Sequence, residues 1–226
     1  MQKIGRFFLK LFLWLFFLQL AYIFFCKWIN PPITLTQLSS VIHGYGLKRD
    51  YVDFDQMSPN IKLAVMASED QLFPTHNGFN FEAIEKAVAY NKKHPNRTRG
   101  ASTISQQVAK NVFLWQGKSY IRKGLEVYFT FMIEHIWGKK RILEMYLNVA
   151  EMGKGVFGVQ AAAKNDFGTN AKNLTRAQAA MIAACLPNPK SYTVRPLSRY
   201  VASRYGDIME QMDDIQPVPE VQVLIK

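Results

Sequence analysis

Residues 58–69 read SPNIKLAVMASE, and this stretch indicates the fold class. It opens with a serine followed by a proline, a pair typical of an N-cap and the first helical position. Ile61, Val65 and Ser68 then recur at helical spacing and define one face. The chain after position 58 is therefore predicted to begin as a helix.

Further helical patterns follow this stretch. Asn80, Ser102 and Ser119 are each expected to cap a helix, because their side-chain oxygens can accept from the free backbone N–H groups of a first turn. Two more helices are predicted over 139–148 and, after a capping box, over 176–186. Alternating patterns typical of strands extend over a few residues at most, so the fold is predicted to be mainly α-helical.

The formal net charge of +11 is concentrated in two parts of the 226-residue chain. Residues 1–30 carry four basic groups, residues 86–123 carry nine, and neither segment contains an acid. Such an excess indicates an anionic partner: nucleic acid, a membrane surface or a phosphorylated substrate. An apolar content of 49% excludes a disordered chain, and two cysteines are too few for a disulfide framework.

An uncharged run of 16 residues, LFLWLFFLQLAYIFFC, separates Lys10 from Lys27. With its apolar flanks it would reach about 34 Å as a helix, enough for a bilayer core of about 30 Å. A cleaved signal peptide is the alternative, but bulky residues fill 24–28 and no small-residue cleavage site follows. Residues 1–30 are therefore predicted to be a cytoplasmic tip and transmembrane anchor, and the exported remainder is not expected to bind nucleic acid.

The rest of the chain is predicted to have three parts. Residues 31–57 contain prolines, glycines and a short alternating run, so they are expected to form an extended, turn-rich linker. Residues 58–205 carry the helical patterns and form the main domain, and residues 206–226 form a C-terminal tail. The polar residues 91–100 are interpreted as a mobile loop.

Two acids end the first of the predicted helices. Glu69 follows Val65 by one helical turn, so it continues the buried face. Loss of water there would raise the pKa of its carboxyl group toward the range useful for proton transfer. Asp70 lies about 100° further round the helix. A pair of solvated acids at a helix end is the alternative interpretation.

A polar face follows in residues 100–111, GASTISQQVAKN. On a helix, Thr103, Gln107 and Lys110 would share one face and present a hydroxyl, an amide and an ammonium group. These groups suit sugar hydroxyls and a phosphate. An ordinary solvated face explains the pattern equally well.

A third cluster combines two bases with an acid. Arg122 and Lys123 precede Glu126 by about one helical turn. The three residues form either an ordinary helical ion pair or a clamp for a diphosphate, whose acid could orient a metal ion or a proton.

These clusters belong to five motifs that occur in a fixed order. They are Glu69-Asp-x-x-Phe-x-x-His-x-Gly, the run 100–111, Arg122-Lys-x-x-Glu126 with Glu134, Lys139-x-x-Ile-Leu-Glu-x-Tyr-Leu-Asn148, and Gly153-x-Gly-x-x-Gly158-Val-x-Ala-Ala-Ala163. Together they resemble the signature of the peptidoglycan glycosyltransferases, family 51, over roughly residues 50–200. The resemblance implies a lysozyme-like helical lobe plus a smaller membrane-associated lobe, with 58–205 as the glycosyltransferase domain. No S-x-x-K or K-T-G motif occurs, so no transpeptidase domain is expected.

The resemblance also implies roles for individual residues. Glu69 matches the family's general base, and Glu126 matches its second catalytic carboxylate. Lys110, Arg122 and Lys123 match contacts to the donor diphosphate. The other residues expected to line the substrate site are Asp70, Ser102, Thr103, Gln106, Gln107 and Asn111.

The implied reaction transfers a growing glycan from a polyprenyl diphosphate to the 4-hydroxyl of lipid II, with inversion to a β-1,4 linkage. Mg²⁺ or Mn²⁺ is the expected cofactor, and Glu126 is its candidate ligand. The expected partners are lipid II, the growing glycan-lipid, membrane phospholipids and other cell-wall synthesis or division proteins. The expected location is the bacterial inner membrane, with a single span, a cytoplasmic N-terminus and the catalytic domain outside the cytoplasm.

Three other functions are possible alternatives to glycosyl transfer. A glycan-cleaving enzyme needs no cluster of cations directed at a diphosphate, and a non-catalytic assembly factor would carry degraded catalytic positions. The glycines of 153–158 match a dinucleotide fingerprint but follow a helical pattern rather than a strand, which excludes that reading. Residues 113–120 are expected either to lie in the membrane interface or to pack in the core.

Overall fold

The structure, a computed structural model, describes residues 2–94, 100–117 and 119–226, and this part of the chain is mainly α-helical. The helices are α1 (Gln2–Trp28), α2 (Leu35–Ile42), α3 (Pro59–Glu69), α4 (Phe81–Lys93), α5 (Ile104–Phe113), α6 (Tyr120–Ile136), α7 (Lys139–Val149), α8 (Val159–Phe167), α9 (Arg176–Cys185), α10 (Arg199–Ile215) and α11 (Pro219–Ile225). The strands are β1 (Lys48–Arg49), β2 (Glu151–Gly153) and β3 (Val156–Phe157), and short 3₁₀ helices cover Phe54–Gln56 and Ala171–Asn173. The prediction of a mainly α-helical fold is confirmed.

Helix α3 is the central element of the core. Residues 61–67 are all buried, so the helix is enclosed on every side rather than on one face as predicted. It packs against α9 and α10, and α11 also contacts it. Even Lys62 is buried, with its ammonium group 3.7 Å from the centre of the Phe54 ring. Burial on all sides holds the C-terminal end of α3, where Glu69 lies, in a fixed position.

Helix α1 is long and apolar enough to cross a membrane. The segment Gly5–Trp28 has 24 residues and a mean hydropathy of 2.0. Near its C-terminal end α1 packs against the body of the protein, where Ile23 and Cys26 are fully buried. Trp137 Nε1 donates to the Ile23 carbonyl over 2.9 Å, and Arg141 donates two hydrogen bonds to the Cys26 carbonyl. The apolar helix and the body are thus joined through backbone carbonyls as well as packing.

The predicted linker over 31–57 is not extended throughout. Helix α2 occupies Leu35–Ile42, and a capping box between Thr34 and Gln37 begins it. The helix packs against α5, where Gln116 Nε2 donates to Thr36 Oγ1 over 2.8 Å. The prediction of an extended segment is therefore wrong for α2, and residues 31–57 also contain β1 and the 3₁₀ helix Phe54–Gln56.

The predicted tail over 206–226 is part of the folded body. The boundary at residue 205 falls inside α10, which packs along α9 and α3. Met212 is fully buried on α10, and Val221 is buried on α11. These helices close the side of α3 that the other helices leave open.

Most of the predicted helix starts are confirmed. Asn80, Ser119 and Thr175 each accept a hydrogen bond from the backbone of their helix's first turn. Ser102 is a wrong prediction, because Thr103 caps α5 and forms a capping box with Gln106. Threonine with glutamine three residues later satisfies two backbone donors, whereas a serine cap one residue earlier would satisfy only one.

The strands form a small sheet of order β1-β3-β2, and Gly158 links β3 to α8. Gly158 follows β3 with φ +82°, and a Cβ atom there would overlap the Asn148 carbonyl. The Asn148 side chain donates to the Val52 carbonyl and accepts from the Val52 N–H, each over 3.0 Å. The glycine-rich motif therefore serves a close approach of backbones, which agrees with the exclusion of a dinucleotide site.

Candidate active site

Asp70 ties the C-terminal end of α3 to the start of α5. Its carboxylate is buried and accepts from the Ile104 N–H over 3.0 Å and from His76 Nε2 over 2.9 Å. The hydroxyl of Thr103 donates to the Gly78 carbonyl over 2.7 Å in the same region. Both ends of the connection between the helices are therefore held by buried hydrogen bonds.

His76 supports Asp70 as a hydrogen-bond donor. Its Nδ1 atom accepts from the Gly78 N–H over 3.0 Å, so the ring proton must lie on Nε2, which faces Asp70. Lys139 donates to the His76 carbonyl over 2.5 Å and pairs with Glu134 over 2.8 Å. Glu134 also accepts from the Ser105 hydroxyl. These contacts form a supporting layer behind the end of α3.

Glu69 faces a short chain of polar groups. Gln107 Nε2 donates to Glu69 Oε2 over 2.7 Å. The Tyr146 hydroxyl lies 3.4 Å from Gln107 Oε1 and donates to it. Because Tyr146 is 1% exposed, its hydroxyl group depends on this protein partner. The predicted acid, the predicted amide and a buried phenol are thus in contact.

The environment of Glu69 suits a proton acceptor. Burial raises the pKa of its carboxyl group above the ordinary value, and nearby Asp70 adds to the rise. The hydrogen bond from Gln107 and the charges of Lys110 and Arg204 lower the pKa in part. The net effect is a raised pKa of Glu69, as predicted from its position on α3.

Of the three predicted cations, Lys110 interacts with Glu69, and Arg122 and Lys123 lie beside Lys110. Glu126 is 3% exposed, and its two oxygens pair with Arg122 Nη1 and Lys123 Nζ, each over 2.5 Å. Burial lowers the pKa of Lys110, while the charges of Glu126 and Glu69 both raise it. Lys110 on α5 is therefore close enough to the acid of α3 and to the cluster of α6 to interact with both.

The donor atoms around Glu126 do not suit the predicted metal ion. Both oxygens of Glu126 are already engaged by cations, which a metal ion would have to displace. Among the described residues, no group of three or more His, Cys, Asp or Glu side chains could hold a metal ion. The protein residues therefore do not fit a resident Mg²⁺ or Mn²⁺ ion, and the metal dependence of the reaction stays a prediction.

The remaining predicted site residues have different positions. Ser102 is exposed beside the start of α5. Thr103 and Gln106 are buried, and they use their side chains to cap α5. Asn111 accepts from Gln116 over 3.2 Å near the end of the same helix. The structure brings together Glu69, Gln107, Lys110, Arg122, Lys123 and Glu126, whereas it engages Asp70, Thr103 and Gln106 in internal hydrogen bonds.

Two residues near Glu69 were not predicted as site residues. Tyr146 lies inside the fourth motif, whose helical periodicity predicts burial but not a hydroxyl directed at Gln107. Arg204 lies on α10, beyond the last motif, where it contacts Asp207 and Gln211. A single arginine on a polar helix carries no sequence signal, so only the packing of α10 against α3 reveals its position.

The segment over 113–120 combines both predicted alternatives. Phe113 packs on Phe129 with ring centres 4.7 Å apart, and Leu114 is buried. Trp115 is 44% exposed and Tyr120 is 99% exposed. Lys118 lies outside the described residues. Core packing therefore applies to the start of the segment, and the exposed aromatic side chains remain available for a membrane interface.

Comparisons with known proteins identify the family of this chain. A family model described as Transglycosylase matches residues 36–213. The biosynthetic peptidoglycan transglycosylases of Shigella boydii serotype 4 (strain Sb227) and of Escherichia coli (strain K12 / DH10B) are each 53% identical over 189 residues, which covers 82% of this chain and 78% of each relative. The matched residues include every candidate site residue. The chain therefore belongs to the transglycosylase family and is a peptidoglycan glycosyltransferase.

Proposed function

We propose that this enzyme polymerises glycan strands from lipid II, with a growing glycan on a polyprenyl diphosphate as donor. The observation that supports it is the contact between a partly buried acid, Glu69, and Lys110, which itself lies beside the cations Arg122 and Lys123. Glycosyl transfer from a diphosphate needs a base for the attacking hydroxyl and positive charge for the leaving group. The site offers both on neighbouring elements.

In the proposed reaction Glu69 removes the proton from the 4-hydroxyl of lipid II. The oxygen attacks the anomeric carbon of the donor sugar from the face opposite the diphosphate, and the bond to the diphosphate breaks. A single displacement inverts an α-linked donor to a β-1,4 linkage. Gln107 holds the Glu69 carboxylate in position through its amide N–H.

The negative charge that develops on the leaving diphosphate would be stabilised by the cation cluster. Glu126 lies 2.5 Å from both Arg122 and Lys123 and orients these two side chains. Their charge is only partly balanced by Glu126, and Lys110 adds a third cation. Positioned charges in a site that excludes water contribute strongly to such a step.

We further propose that α1 anchors the enzyme in the bacterial inner membrane. Basic residues precede the apolar segment, so the N-terminus would remain cytoplasmic and the catalytic body would lie outside the cytoplasm. The absence of a transpeptidase domain and contacts with cell-wall synthesis or division proteins stay predictions. Labelled penicillin and affinity isolation from membranes would test them.

Glu69→Gln tests the proposed function with purified lipid II. Loss of the general base should lower polymerisation by about 10²–10⁴-fold. Because the pKa of Glu69 is raised in the folded protein, its ionisation costs stability at pH values above the ordinary carboxyl range. The variant should therefore melt at the same temperature as the wild type at neutral pH, or at a higher one.

Two measurements separate the outcomes of this test. Glycan products are quantified by gel electrophoresis, and unfolding is followed by circular dichroism. Near-normal polymerisation by the folded variant would contradict the assignment of Glu69. Release of sugars from preformed glycan in the absence of lipid II would instead favour a glycan-cleaving enzyme.

A further inference from the structure

A group of exposed basic residues lies outside the site described above. Residues 167–206 contain six basic residues and no acid. Two of them, Lys190 and Arg195, are exposed on the connection between α9 and α10, and Arg199 is exposed at the start of α10. Lys154 is exposed on the turn between β2 and β3. We refer to Lys154, Lys190, Arg195 and Arg199 together as the basic ledge.

Helices α3 and α9 run side by side in the same direction. The Ser58 hydroxyl and the Asn60 side-chain amide both donate to the Leu174 carbonyl over 3.0 Å, so the two helices begin at the same level. They have 11 and 10 residues and pack against each other. The C-terminal end of α9, from which the connection starts, is therefore level with Glu69 at the end of α3.

Helix α10 returns in the opposite direction along α9. Arg176, the first residue of α9, donates to Asp213 over 2.5 Å and to Gln216 over 2.9 Å, at the end of α10. Helix α10 must then begin at the end of the body that holds Glu69. The charge of Arg204, five residues into α10, accordingly lowers in part the pKa of the Glu69 carboxyl group. The connection and the start of α10 thus lie at the same end of the body as the candidate site.

The two segments of the basic ledge meet at the ring of Tyr45. The ammonium groups of Lys190 and Lys154 lie 4.6 Å and 4.9 Å from the centre of this ring. Gly155 has φ +69°, and a Cβ atom there would overlap the Tyr45 carbonyl oxygen. The glycine therefore permits the close approach that brings Lys154 to the ring.

The turn that carries Arg195 is held by its own hydrogen bonds. The Ser198 N–H donates to the Thr193 carbonyl over 3.0 Å, and the Thr193 hydroxyl donates to the Pro196 carbonyl over 2.6 Å. Val194 joins the turn to the core, with 7% of its surface exposed. The fold therefore holds this part of the basic ledge in place before any ligand binds, which lowers the entropy cost of binding.

Nearby acids neutralise only part of the charge of the basic ledge. Lys190 lies 3.9 Å from Glu151, and Arg195 is close enough to Asp166 to lower in part the pKa of its carboxyl group. The other two residues of the ledge form no ion pair within the ranges that the structure describes. Four cations thus face two acids, and the net positive charge suits an anionic ligand.

The substrate of a peptidoglycan glycosyltransferase carries such a ligand. Peptidoglycan strands bear short peptides, and a peptide ends in a carboxylate, which a guanidinium group binds through two hydrogen bonds. In an extended peptide of four or five residues this carboxylate lies about 13–18 Å from the sugar. Arg199 lies about 7.5 Å beyond Arg204 along α10. A peptide that leaves an acceptor sugar at Glu69 can therefore reach the basic ledge.

We propose that the basic ledge binds the carboxylates of the peptide on the lipid II acceptor. This inference rests on the proposed function, in which the acceptor hydroxyl faces Glu69 and the donor diphosphate faces Lys110 on α5. The ledge follows α9 and α10 rather than α5, so it lies beside the acceptor. A membrane surface is a poorer match, because α1 packs against α6 and the ledge belongs to neither helix. The ledge would thus hold the peptide aside from the reacting hydroxyl.

Two charge-removing variants of the full-length protein test the proposal. Lys190→Gln with Arg199→Gln removes half of the basic groups of the ledge. The matched control, Lys172→Gln with Lys226→Gln, removes two exposed charges outside it. Each protein polymerises lipid II with an unmodified peptide and lipid II whose peptide carboxylates are converted to amides. The readout is the ratio of the two KM values, amidated over unmodified.

The ratio shows whether the basic ledge recognises the peptide. In the wild type the amidated substrate should have the larger KM, because it lacks the charge that the ledge binds. Loss of two partly exposed ion pairs should lower the ratio about threefold to tenfold in the ledge variant, and the control should keep the wild-type ratio. An unchanged ratio in the ledge variant would overturn the proposal. Absence of polymerisation by the wild type with either substrate would instead contradict the proposed function.

A crosslinking measurement on the wild type separates the peptide from the membrane. Lipid II with a photoreactive group at the end of its peptide should label residues 187–200, and lipid II without this group should suppress the labelling. Equal labelling by a phospholipid with the same group on its headgroup would show a membrane surface and overturn the proposal. Labelling confined to other parts of the body would overturn it as well.

Discussion

At the scale of single residues, Tyr146 determines which way Gln107 faces. Burial raises the pKa of Tyr146 well above its ordinary value, so the phenol stays protonated and donates to Gln107 Oε1. The amide nitrogen must then face Glu69, where its N–H stabilises the charged carboxylate. The partly buried position of Glu69 follows from the spacing of apolar residues on α3. The contacts of Gln107, in contrast, join residues 38 and 39 positions apart, and no local pattern predicts them.

Removal of the Tyr146 hydroxyl should therefore move the pH dependence of the reaction. In Tyr146→Phe the amide can turn and present its oxygen, which accepts only from a protonated carboxyl group, so the pKa of Glu69 should rise. A base must be deprotonated to act, and the acidic limb of kcat/KM should shift to higher pH. The measurement is a pH profile of polymerisation, with Tyr192→Phe as the control.

The pH of the acidic limb of kcat/KM distinguishes the proposed role of Tyr146 from simple packing. A lower plateau with an unchanged acidic limb would show that Tyr146 contributes only to the core. A shift of the same size in Tyr192→Phe, whose ring stacks on Tyr200, would show a general effect of losing a phenol.

At the scale of elements, capping residues predict most of the helices. Helix α2 shows where this approach fails. Helix α2 was missed because the prolines and glycines around it indicate a linker, yet its Thr34–Gln37 capping box is visible in the sequence. The extent of α10 was missed because its exposed face is polar and its buried face is recognised only against α9 and α3. The family resemblance identified the glycines of 153–158, but only the structure explains Gly158.

A methyl group at Gly158 should destabilise the protein. Gly158→Ala places a Cβ atom against the Asn148 carbonyl in a left-handed conformation, so we expect a loss of at least about 1–3 kcal/mol in the free energy of unfolding. Gly206→Ala is the control, because it lies inside α10 with open space around it and should stabilise by up to about 1 kcal/mol. Chemical denaturation followed by circular dichroism measures both, and equal stability of the two variants would contradict the role of Gly158.

At the scale of the whole molecule, the basic residues of 86–123 lie in two different places. Lys110, Arg122 and Lys123 lie at the candidate site, whereas Lys92 and Lys93 are exposed at the end of α4. Arg97 and Arg99, which the sequence places in a polar loop, lie outside the described residues. The bulk charge alone predicts only an anionic partner, whereas the fold separates the cations of the candidate site from those exposed on α4.

The start of α6 should lie at the membrane. A spin label at Tyr120→Cys, on the 99% exposed first residue of this helix, should be accessible to oxygen and protected from a water-soluble nickel chelate in vesicles. A label at Val223→Cys, 77% exposed on α11, should show the reverse. Both native cysteines are buried, so the label should react at the new site. Equal nickel accessibility at the two positions would place the start of α6 in water.

The buried carboxylate of Asp70 has a mechanical consequence for a polymerising enzyme. It joins the end of the helix that carries Glu69 to the start of the helix that carries Lys110, and so fixes the position of one helix relative to the other. In the proposed reaction, this connection would keep the cleft between the two helices at a constant width. The lengthened strand would then have to move by one disaccharide through the site after each addition.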